Sequence, residues 1–136
     1  MSTNRQVITS AMRMLSILDA DETASSEDVA VGLEQLNDLM AALAADDIDL
    51  GFPPQESVSD EFPLDSTVEA QVKPLLAVKL IAMFPGAKPA ITLAADADRA
   101  RSQLARAAVL SIREEAQAAV PLGSARGDYY DIQRGS

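Results

Sequence analysis

Asp46, Asp47 and Asp49 invite a metal reading, three carboxylates within four positions. Calcium chemistry needs more than density. An EF-hand loop counted from Asp47 requires a bidentate Glu at its twelfth position, and Val58 stands there; the loop glycine is misplaced as well. The chain has no His and no Cys. That removes the imidazole base, the thiolate nucleophile, the usual transition-metal ligands and any disulfide. Catalysis would have to rest on carboxylates, Lys, Arg or Tyr, and none of these is spaced as a catalytic signature. The sequence therefore predicts no catalytic residue, no metal site and no cofactor: the chain reads as a protein that is not an enzyme. Arg126-Gly127-Asp128 spells an adhesion tripeptide, but three-residue matches arise by chance.

Arg99, Arg106 and Arg113 are seven apart and so share one face of a helix, with Arg101 offset. Such a row is either a solvated stripe paired with Asp96, Glu114 or Glu115, or a charged face that bridges to the acidic half of an adjacent subunit. The second reading draws on an uneven charge distribution. Residues 1–69 carry 15 acidic and 2 basic side chains, and residues 70–136 carry 6 acidic and 9 basic, within an overall charge of −10. Tight DNA binding does not suit this balance, because the field around a −10 protein repels phosphate.

The elements that must position these groups are helical. The hydrophobic fraction is 48%, with no Trp, three Phe and two Tyr, and Ala and Leu favour helix. Thr3 and Gln6 form a capping box, and Val7, Ile8, Ala11, Met12, Leu15 and Leu18 follow at helical spacing, predicting a helix over about 4–18. A second helix, over about 26–45, starts after Ser25 or Ser26. It carries Glu27 and Asp28 in its first turn and an apolar stripe of Val29, Leu33, Leu36, Met40 and Leu43. Gly32 within it marks a close helix crossing. A third, over about 67–84, opens on a Ser66/Glu69 capping box and stops at Pro85-Gly86. Pro74 either kinks it or begins it. A fourth, over about 90–118, has a narrow core face of Leu93, Ala97, Ala100, Leu104 and Ala107. The expected fold is mainly α, a four-helix-type bundle forming one domain over residues 1–119. No apolar run approaches the roughly 20 residues that span a bilayer, and the polar start is not a signal-peptide core; the expectation is no membrane and synthesis in a cytoplasm.

Two segments fall outside the helices. Residues 46–64 contain Gly51, Pro53, Pro54 and Pro63 and are expected to be extended, either as a plain run or as a short hairpin, a long connection for a small domain. Their Phe52, Val58 and Phe62 either fold back over the core or contact a neighbouring subunit or a further protein. Residues 120–136 form a C-terminal arm whose sticky element is Tyr129, Tyr130 and Ile132. An arm this short cannot bury its own aromatics, so it either stays unfolded or folds against another chain.

The stretch Leu36-Asn37-Asp38-Leu39-Met40, followed by Asp47-Ile48-Asp49-Leu50-Gly51-Phe52, resembles the head-to-tail adaptor family of tailed phages. The likeness is to the tail accessory, or packaged-DNA stabilisation, proteins of short-tailed phages. Ala11-Met12-Arg13-Met14-Leu15, Val58-Ser59-Asp60-Glu61 and the run from Leu75 to Gly86 match family features in order. The likeness covers about Val7 to Ala108 and consists of cores and turns. Ala44 and Ala45 depart from it near the end of the second helix, where the family often has Trp, and Pro74 is unexpected inside the third. The resemblance implies a virion protein made in the host cytoplasm that joins a ring of twelve copies beneath the portal protein. It also implies a channel through which DNA passes without sequence-specific binding, and a platform for a downstream tail or nozzle protein. The arm with Tyr129, Tyr130 and Ile132 would grip the portal. Without the resemblance, the residues also fit a small helical interaction module, an assembly chaperone or regulatory subunit outside the particle.

Overall fold

The computed structural model describes residues 2–19 and 21–119, without the side chains of 115 and 117–119. They form four helices: α1 (Asn4–Met14), α2 (Ser26–Ala45), α3 (Ser66–Leu80) and α4 (Leu93–Ala119). The mainly α, four-helix fold is the one expected, and no described helix is long and apolar enough to cross a membrane. α3 packs against each of the other three helices, whereas α4 packs on α3 alone. The core gathers Val7, Ile8 and Met12 from α1, Leu36 and Leu43 from α2, Leu76 and Leu80 from α3, and Leu104 from α4.

α1 begins as its capping box dictates: the Gln6 amide donates to Thr3 Oγ1 at 3.2 Å and the Thr3 amide to Gln6 Oε1 at 2.8 Å. It ends at Met14 and not near Leu18, because the chain turns into the left-handed region at Ser16, φ 56°. The Ser16 amide then reaches Arg13 O at 3.1 Å and the Ile17 amide Met12 O at 3.3 Å, the Schellman pattern that caps orphan carbonyls. The Leu15 carbonyl accepts from the Lys88 amide at 2.7 Å, a contact far off in sequence that helps set the stop. Glycine is the residue that takes this conformation without a Cβ penalty. Ser16→Gly is expected to stabilise the fold by about 0.5–1 kcal/mol, read as a higher urea midpoint at unchanged slope.

α2 matches its expected span, with Ser25 accepting from the Asp28 amide at 3.1 Å. Gly32 lies against α1 so closely that a Cβ there would sit 2.3 Å from the Cγ2 of Ile8, a β-branched and fully buried side chain. The α1–α2 approach therefore requires a glycine at this position.

α3 is capped by Asp65, whose Oδ1 accepts from the Val68 amide at 2.9 Å. The expected Ser66/Glu69 box does not form; Glu69 instead accepts from Ser2 Oγ at 2.9 Å and pairs with Lys73 at 3.2 Å. The helix runs through Pro74 without a break, so it does not begin there. Proline removes the donor that Ala70 O would receive, and Ala70 is exposed, where water can replace it. α3 ends at Leu80, four residues before the expected stop, and residues 81–83 are turns.

The 46–64 connection contains no strand; its one ladder contact is an isolated antiparallel bridge between Thr3 and Glu61. It runs over the start of α1 and supplies acceptors for amides that a helix N-terminus leaves unpaired. The Asn4 amide donates to Asp60 O and the Arg5 amide to Val58 O, both at 2.9 Å, and the Phe62 amide donates to Ser2 O at 2.8 Å.

Candidate interaction surfaces

The three aspartates that invited a metal reading each have a structural task. Asp46 caps α2 and receives Arg101 Nη2 at 2.8 Å. Asp47 takes the left-handed position, φ 66°, of a second Schellman pattern, in which the Ile48 amide reaches Leu43 O at 2.8 Å. Asp49 Oδ1 accepts from the Gly51 amide at 2.9 Å, and Gly51 itself has φ 71°. Among the described residues no three acidic groups converge on a cation position.

Phe62, expected either in the core or at a neighbour, is 1% exposed and belongs to the core of its own chain. It cannot present its ring to a second subunit while the connection keeps this path. Phe52 and Val58 are half-buried against the same core, and the Phe52 and Phe62 rings meet at 5.8 Å with a 47° tilt. Polar contacts fix the path. Asn37 clamps the Gln55 backbone from both sides, accepting its amide at 2.8 Å and donating to its carbonyl at 2.9 Å. Asn4, fully buried, donates from Nδ2 to Gln55 Oε1 at 2.9 Å and to Ser57 O at 3.0 Å.

The arginine row lies on the exposed side of α4. Arg99 pairs locally with Asp96 at 3.1 Å, and Arg101 makes the link to Asp46. Arg106 and Arg113 border a shallow apolar depression with Ala105, Val109 and Leu110. α4 follows its expected core face except that Ala108, not Ala107, is the last buried position. Beyond it Val109, Leu110 and Ile112 are 52%, 55% and 58% exposed. Sequence reasoning missed this second stripe, although the signal was present: Ala105, Val109, Ile112 and Ala116 repeat at four-three-four spacing, on a different face from Leu104 and Ala108. α2 offers the opposite character outward, with Glu27, Glu34 and Asp38 among its polar residues and the exposed Ala30 between the first two. Tyr129, Tyr130 and Ile132 lie outside the described residues.

No protein-family model matches this chain, and neither does the sequence of any curated protein. A depression that is apolar and rimmed by arginine, on a helix end that leaves its own bundle, suits a macromolecular contact.

Proposed function

We propose that this chain is a structural head-to-tail connector of a tailed phage. Copies form a ring under the portal that extends the DNA channel, helps to retain packaged DNA and offers the tail its platform. The observation that carries the reading is the architecture of the segment that bears the resemblance, Leu36 to Phe52. Leu36, Leu39, Met40 and Leu43 fill the core, Asn37 clamps the long connection, and Asp47, Asp49 and Gly51 shape the turn that launches it. The resembling residues are thus the ones that determine how the connection lies on the bundle. They are tied to a fold, as a structural subunit requires, and to no reaction.

In this reading DNA passes the ring under weak contacts, consistent with the net charge of −10. The arm that contains Tyr129, Tyr130 and Ile132 docks on the portal. Mixing the chain with purified cognate portal is expected to give portal-bound rings in electron micrographs, and mature virions are expected to contain the chain by mass spectrometry. Failure to bind the portal together with absence from virions would overturn the proposal, and would favour a helical chaperone or regulatory subunit that acts outside the particle.

A further inference from the structure

The end of α4 and the outer face of α2 fit one another, and within one chain they do not meet along their lengths. Both helices pack on α3, they do not pack on each other, and the link between them is the Arg101–Asp46 ion pair. We propose that the Arg106–Arg113 end of α4 docks, antiparallel, on the Glu27–Glu34 face of α2 in a second copy of the chain. The inference rests on the reading of the chain as a ring-forming subunit and supplies that ring with its contact.

Three observations carry it. The first is exposure: Val109 and Ile112 are more than half exposed, on a helix that runs past its last buried residue, Ala108. Apolar side chains repeated on one helical face are the usual mark of a missing partner. The second is charge spacing. Arg106 and Arg113 are seven residues apart, as are Glu27 and Glu34, so each pair is separated by about 10.5 Å along its helix.

The third is handedness. Val109 follows Arg106 by three residues and precedes Arg113 by four; Ala30 stands in the same relation to Glu27 and Glu34. Each charged row therefore lies on the same rotational side of its central residue. Two helices with such rows bring them to the same side of the contact only when they run antiparallel. Arg106 then faces Glu34 and Arg113 faces Glu27, while the small Ala30 receives Val109. The same geometry applied to two α4 ends would set arginine against arginine, which disfavours a symmetric pair. The contact uses different surfaces on the two partners, so it is heterologous and propagates into a closed ring or a filament.

The natural absence of cysteine makes a direct test available. The full chain carrying Val109→Cys and Ala30→Cys, oxidised at high subunit concentration without portal, is expected to give a ladder of disulfide-linked oligomers on a denaturing gel. Adding Arg106→Glu with Arg113→Glu should reduce the ladder by about tenfold or more. Adding Glu27→Arg with Glu34→Arg to that variant should restore it, a rescue that a misfolded variant would not give. No ladder, or a ladder indifferent to charge reversal, overturns the inference. So does dimer formation by Val109→Cys alone, which would mean a symmetric contact. A Val109→Cys thiol that resists alkylation in dilute monomer also overturns it, since residues 120–136 of the same chain would then cover the site. A charge-sensitive ladder from a protein that fails to bind portal would leave this contact standing and remove the connector reading.

Discussion

Truncation of Phe62 to alanine is expected to lower stability by about 3–5 kcal/mol, the usual cost of emptying a buried aromatic site. Melting should fall by roughly 10–20 °C. The ring is 1% exposed and packs on Phe52, and its backbone amide ties residue 62 to Ser2. Its loss removes the apolar anchor of the connection that covers the start of α1. The Asn4 and Arg5 amides depend on that connection for their acceptors, so the two ends of the contact should loosen together, and limited proteolysis should cut first within residues 46–64. Thermal unfolding of the isolated chain decides the matter. A Phe62 ring reserved for a neighbouring subunit would leave the isolated chain nearly as stable as the parent, and that result would contradict the burial described above.

The same residue shows where sequence reasoning reaches and where it stops. α2 was legible end to end because its determinants are local: Ser25 and two acids at one end, a single apolar stripe, and charged turn residues at the other. The stop of α1 was not, because it depends on a serine in a left-handed conformation and on an amide from Lys88, which is distant in the chain. Ser66 and Asp65 are both good caps, and only the observed Val68–Asp65 bond separates them. The connection's path was the least legible. A run with no period gives no register, and its position follows from unpaired amides on α1 and from Asn37 and Asn4, none of which is its neighbour in sequence. At the candidate interface the arginine row was readable from seven-residue spacing alone. The Arg101–Asp46 partnership, 55 residues apart, was not. The exposed stripe at Val109 and Ile112 was hidden for another reason. Alanine-rich helices offer several apolar faces, and periodicity does not say which one the bundle takes.

Asn4→Asp exchanges one atom type at a fully buried site, and a loss of about 3–5 kcal/mol is expected at neutral pH. The asparagine Nδ2 donates to two oxygens, Gln55 Oε1 and Ser57 O, while the asparagine oxygen has no partner among the described residues. A carboxylate there would face both acceptors with no donor to offer. Gln55 cannot turn its amide to help without losing the 2.6 Å bond from Nε2 to Pro53 O. The positive end of α1 favours an anion at its first residue, but by only about 0.3–1 kcal/mol at most such sites. Desolvation and repulsion therefore win, and both raise the folded-state pKa of the new carboxyl above its unfolded value. Such a group binds its proton more tightly in the folded chain, so stability falls as pH rises above the unfolded pKa. The loss grows by about 1.4 kcal/mol per pH unit until the folded pKa is passed. The deficit against the parent should thus be small in mild acid, where the neutral carboxyl can donate to Ser57 O, and large at neutrality. Urea unfolding of both proteins across that range measures it. A deficit of equal size at every pH would mean that residue 4 is not sealed from water, and that the connection does not close over the start of α1.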